Sequence, residues 1–124
     1  METSRRKHYT QMTVQETNNV QKAVRKLGKV KVTAYVKNRM QERNVQVIDI
    51  AQTIAFGKVI EVHNNKANEI RVLLQFITKG KRCHAVVSLT DKTLVTCYWN
   101  DLNDTHKTLD KNLYKWNVDL MQVV

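Results

Sequence analysis

The chain has 124 residues, 42% hydrophobic and 26% charged, with three glycines and no proline, which suits one folded domain and excludes collagen-like, low-complexity and two-core architectures. Twenty-one Lys and Arg against eleven Asp and Glu give a formal charge of +10, so a polyanion is the first partner to consider. No apolar run approaches the roughly 20 residues of a membrane span, and the basic start has no apolar segment behind it of the kind a secretory signal carries, so the expectation is a cytoplasmic protein with no membrane partner.

The charge is uneven. Residues 1–43 hold eleven basic and three acidic side chains, whereas 44–124 hold ten and eight, which places the basic face in the N-terminal third. Residues 1–10 lack any period and are expected to be flexible. A helix is expected over about 12–27, with Val20, Ala23, Val24 and Leu27 facing inward, Thr17 or Asn18 as cap and Gly28 as stop. A second helical pattern follows, in which Val32, Val36 and Met40 form one stripe and Tyr35, Arg39 and Arg43 the neighbouring one. A third, from Val47 to Phe56, is expected to bury Val47, Ile50, Ala51 and Ile54 and to end at Gly57.

After Gly57 the hydrophobic period changes from 3.6 to 2. Four strands are expected over 58–63, 69–78, 82–89 and 94–99, joined by short polar turns and therefore forming an antiparallel meander. The fold class is α+β: N-terminal helices over 11–57 on one face of a four-stranded antiparallel sheet over 58–99, with a C-terminal extension over 100–124, all in a single domain. Within the extension, 108–116 reads as a short helix and 118–122 alternates. Cys83 and Cys97 lack metal-ligand spacing and read as reduced, buried thiols.

Strand parity sorts the chemistry. Cys83, Ala85, Val87 and Leu89 share one face of the third strand, and Arg82, His84, Val86 and Ser88 the other. Val95, Cys97 and Trp99 oppose Leu94, Thr96 and Tyr98, while Ile60 and Val62 oppose Val59, Glu61 and His63. One face of the sheet thus gathers Glu61, His63, Arg71, Gln75, Arg82, His84, Thr96 and Tyr98. Solvent-facing sheet positions are polar in any case, so the set is weighed residue by residue. His63 borders an Asn-rich turn and reads as a loop histidine, and His8 and His106 carry no role. His84 sits mid-strand among apolar neighbours and draws the most attention.

A histidine, a carboxylate and arginines on one sheet face are the groups that RNA cleavage without a metal requires. One group takes the 2′-hydroxyl proton, another protonates the leaving 5′-oxygen, and cations hold the charge that grows on the phosphorus oxygens. His84 suits the proton role because imidazole titrates near neutrality, with Glu61 as its partner. Arg43, Arg71 and Arg82 suit the phosphate, and Thr96 and Tyr98 would orient substrate. No cofactor and no metal are called for. The alternative is a basic nucleic-acid-binding protein without chemistry, holding the backbone with Lys22, Arg25, Lys26, Lys29, Lys31, Arg39 and Arg82 and stacking bases on Tyr35 or Tyr98. A third reading is a basic adaptor or inhibitor that binds an acidic protein.

Val32-Thr33-Ala34-Tyr35-Val36-Lys37-Asn38-Arg39-Met40-Gln41-Glu42-Arg43-Asn44-Val45, with Asp49-Ile50, Phe56-Gly57-Lys58-Val59-Ile60 and Thr96-Cys97-Tyr98, resembles a small bacterial and phage family of uncharacterised domains over about residues 32–99. Members carry a helix ending Arg-Met-x-Glu-Arg-Gly-Ile, a second helix closed by glycine and a strand ending Val-Thr-Val-Tyr. The resemblance implies the barnase/EndoU/colicin/RelE ribonuclease-toxin fold, RNA as substrate, and an acidic antitoxin or immunity protein as partner. Two positions depart from the pattern. Tyr35 stands where the family has a histidine, and a phenol with an ordinary pKa near 10 is a poor general base. Asn44 replaces the glycine after Arg43, a change that left-handed backbone tolerates.

Overall fold

The computed structural model describes residues 5–64 and 69–102; the C-terminal helix and alternating end expected beyond 102, and His106, lie outside them. Strand β1 (Arg5–His8) and a single 3-10 turn (Tyr9–Gln11) lead into three helices, α1 (Val14–Arg25), α2 (Ala34–Glu42) and α3 (Val47–Phe56). Strands β2 (Lys58–Asn64), β3 (Ile70–Thr78), β4 (Lys81–Ser88) and β5 (Thr93–Asn100) follow. The sheet has five strands in the order β1-β2-β3-β4-β5, every pair antiparallel. Among the described residues no helix is long and apolar enough to cross a membrane.

The expected meander is present as β2 to β5, and the four-strand count is corrected by β1. Its sequence, Arg-Arg-Lys-His, has no apolar alternation, so nothing in it signals a strand. It is held by pairing with β2, where Arg6 faces His63 and His8 faces Glu61. On the helix side, Lys7 Nζ lies 3.0 Å from the Glu16 carboxylate of α1.

Local chemistry sets the helix ends. The N-cap of α1 is Thr13, not Thr17 or Asn18: its Oγ1 accepts from Glu16 N–H while the Glu16 carboxylate accepts from Thr13 N–H, a reciprocal cap satisfying two otherwise orphaned donors. Gly28 then turns the chain at φ +65°. Thr33 caps α2 by accepting from Val36 N–H. That helix closes with Asn44 at φ +56°, Val45 N–H bonding Met40 C=O and Asn44 N–H bonding Gln41 C=O, the Schellman pattern that favours glycine and admits asparagine. The core between helices and sheet includes Val20, Val24, Leu27, Val36, Met40 and Ile50 from the helical side and Val59, Val62, Val72, Leu74, Ala85, Val87 and Leu94 from the sheet.

Three expectations about facing are overturned. Helix α3 turns Asp49, Ile50 and Thr53 inward, while Val47 is 76% exposed and Ala51 is exposed. A carboxylate anchors this rotation: Asp49 accepts from Gln46 N–H at 2.9 Å and is met by Lys79 Nζ at 3.0 Å, and Thr53 Oγ1 donates back to Asp49 C=O. In β2 a register shift between Val59 and Glu61 brings Val59 to the core side with Val62. A second shift, between Val86 and Val87, brings Leu94 to the core opposite Val87. Each bulge inserts one residue and reverses the parity beyond it.

Both cysteines are free and buried. Burial pushes the Cys97 thiol up to about 11, helped by the neighbouring Cys83, and Cys83 moves upward for the same reason. These are thiols held protonated and unreactive.

Candidate functional site on the outer sheet face

The face of the sheet away from the helices carries the polar rows read from the sequence. Cross-strand register aligns Gln75, His84 and Tyr98 in one row and Glu61, Leu73, Val86 and Thr96 in the next. Arg71 pairs with Ser88 and with His63, so it belongs to a third row. His84 is fully buried. Its Nε2 lies 2.9 Å from Gln75 Oε1, and its ring centroid is 5.1 Å from that of Tyr98, tilted by 42°. Since an amide oxygen only accepts, this bond requires the proton on Nε2.

Arg43 reaches this face from the other side of the sheet. It caps α2, and the C-terminal turn of that helix is fixed to β5, where Trp99 Nε1–H donates to Asn44 C=O at 3.2 Å. Arg43 Nη1 donates to Cys97 C=O at 2.8 Å and to Thr96 Oγ1 at 3.1 Å, wrapping the β5 edge. Arg43 as a whole remains exposed. One turn earlier, Arg39 donates to Tyr35 Oη at 2.9 and 3.1 Å and stands 5.1 Å over its ring. That contact, ahead of Glu42, raises the Arg39 pKa further. Tyr35, Arg39 and Arg43 thus form the expected stripe, ending at Thr96.

Other candidates are separated from this cluster. Glu61 is bound by Arg6 Nε at 2.9 Å and lies on β2, two strands from His84 on β4. Arg71 Nε donates to Glu69 at 2.8 Å. Arg82 donates twice to Leu102 C=O, at 2.7 and 2.9 Å. His63, flanked by Arg6 and Arg71, has its pKa lowered to about 4, chiefly by burial and then by those two cations, against a smaller opposing pull from Glu69. It is neutral at pH 7. Lys22, Arg25, Lys26, Lys29 and Lys31 are all exposed, on α1 and the segment after it. Lys31 forms an isolated parallel bridge with Thr93, which covers part of the β5 edge.

Gln75 is the residue whose part sequence reasoning missed. It has the right parity, but its pairing with His84 depends on the β3–β4 register, which the Lys79-Gly80 turn sets: both residues have positive φ, as a two-residue hairpin turn requires. That turn was the available signal.

A family profile described as Domain of unknown function (DUF4258) matches residues 32–99, more than half of the chain and every residue from the start of the α2 cap to Trp99. No curated protein and no solved structure matches it.

Proposed function

The chain belongs to the DUF4258 family of domains of unknown function, and from that premise we propose that it is a metal-independent endoribonuclease of toxin or phage-effector type acting at the β4–β5 edge. The observation that carries the reading is Arg43 wrapping the β5 edge to Thr96, in the cross-strand row next to that of the His84–Tyr98 pair. In this reading His84, once substrate reaches it, takes the 2′-hydroxyl proton as the 2′-oxygen bonds to phosphorus, and the 5′-oxygen leaves with a proton from solvent water. Arg43 holds the charge gathering on the non-bridging oxygens, and Thr96 and Tyr98 orient the ribose and base. Three helices on one face of an antiparallel sheet agree with the ribonuclease-toxin fold that the sequence resemblance implies.

The test is incubation of the pure protein with end-labelled RNA in EDTA, beside Arg43→Gln and His84→Gln chains whose circular dichroism matches the parent. Cleavage is expected to fall about 10²- to 10³-fold for Arg43→Gln and about 10²- to 10⁴-fold for His84→Gln. A second reading, RNA binding without cleavage, is favoured by the complete burial of His84 and by a tyrosine at position 35. It predicts intact RNA that shifts equally in a gel with the parent and with His84→Gln.

A further inference from the structure

The rotation of α3 leaves an apolar face with no described element upon it. Val47 and Ile48 are 76% and 55% exposed, and Ala51 and Ala55 are exposed as well, while Phe56 at the helix end is 70% exposed with its ring 6.2 Å from that of Phe76. Part of this face forms one wall of an open groove of about 850 Å³ between the three helices, with Val24, Met40, Ile50 and Ile54 along it. It lies on the helix side of the sheet, away from the RNA site proposed above, and does not depend on that reading.

Charge at the groove is of one sign. Arg25 and Lys37 line it and, among the described residues, no acidic one does. The only carboxylate of α3, Asp49, is turned inward onto Lys79. Lys22 lies one turn before Arg25 on α1, Lys26 caps that helix, and Lys29 adjoins the groove at Gly28 and Val30. A surface with an apolar floor and a cationic rim is complementary to an amphipathic helix that presents an aliphatic stripe flanked by carboxylates. The apolar floor disfavours a phosphodiester backbone, which would bury charge against it without pairing. A second copy is disfavoured because two chains of charge +10 would bring like-charged rims together. We propose that the α1–α2–α3 groove docks an acidic amphipathic helix of a partner protein.

The probe is a fluorescein-labelled peptide of about 16 residues, long enough for a stable helix once bound, with leucines at i, i+3, i+4 and i+7 spacing and glutamates beside them. Two controls carry lysine for glutamate and the same composition in scrambled order. The full chain is expected to bind the glutamate peptide alone, more weakly as salt rises. Ala51→Arg, at an exposed position on the groove wall, should lower affinity at least tenfold while leaving the circular dichroism unchanged. Lys37→Glu should weaken the glutamate peptide roughly three- to tenfold and improve the lysine one.

Equal binding of the scrambled or lysine peptide overturns the proposal, as does unchanged binding by Ala51→Arg. So does concentration-dependent self-association abolished by Ala51→Arg, which assigns the groove to a second copy. Displacement of the peptide by an RNA oligonucleotide in the parent but not in Lys37→Glu assigns it to nucleic acid. Peptide binding by a Leu109→Asp/Leu113→Asp chain but not by the parent assigns it to the chain's own C-terminal segment. RNA cleavage, measured in parallel on Ala51→Arg, is expected to be unchanged, so failure here is distinguishable from failure of the ribonuclease reading.

Discussion

His63 illustrates how an ordinary side chain acquires an unusual property from its neighbours. In the unfolded chain it titrates near 6.5, and in the fold near 4, because burial and the flanking Arg6 and Arg71 disfavour its cation. Above pH 6.5 both states hold it neutral and it contributes no pH dependence. Between 6.5 and 4 the unfolded chain takes up a proton that the folded chain refuses, so stability falls across that window and levels below it. Urea midpoints at pH 7 and pH 4.5 should therefore separate widely for the parent and less for His63→Gln; parallel losses would show that His63 is not the group responsible. The parity of His63, His84 and Tyr98 was legible because alternation in a strand fixes facing. The Gln75–His84 contact was not, because it needs the register of two strands and a single strand's pattern is silent about its neighbour.

At the scale of elements, Gly57 marks the junction of α3 and β2. It was expected to end α3 and does so, with φ at −70°, which any residue adopts. The glycine is required by space instead: a Cβ there would sit 2.1 Å from Thr53 C=O and 3.1 Å from Gln75 C=O. Both obstacles are backbone, so relief demands movement of the helix end or of β3. Gly57→Ala should cost about 2–3 kcal/mol, read as a lower urea midpoint at unchanged slope, and a midpoint equal to the parent's would refute the contact. The existence of α2 and α3 and of four of the five strands could be read from periodicity. The inward face of α3 could not, because apolar residues lie on every side of that helix and give little periodic contrast, and the decision fell to Asp49, whose capping and ion-pair contacts lie beyond any hydrophobic pattern. The bulges at Ile60 and Val95 escaped for a related reason, since one inserted residue leaves composition untouched.

For the whole molecule, the net charge of +10 governs encounter with a polyanion. Single-stranded RNA affinity should fall with log salt at a slope near −0.7 for each phosphate contacted. If the α2 stripe and the β5 edge form the contact surface, Arg39→Gln/Arg43→Gln should flatten that slope by about 1.4, measured by fluorescence anisotropy across a salt series; an unchanged slope would remove the stripe from the interface. The architecture also has a consequence in time. Arg6 pairs with His63, so at roughly 5–20 residues per second of synthesis, β1 waits roughly three to ten seconds for β2 to be made. A hydrophobic strand left waiting that long would seek other chains. Arg-Arg-Lys-His repels its own copies, and the nascent polypeptide keeps its first strand in solution until the hairpin that receives it exists.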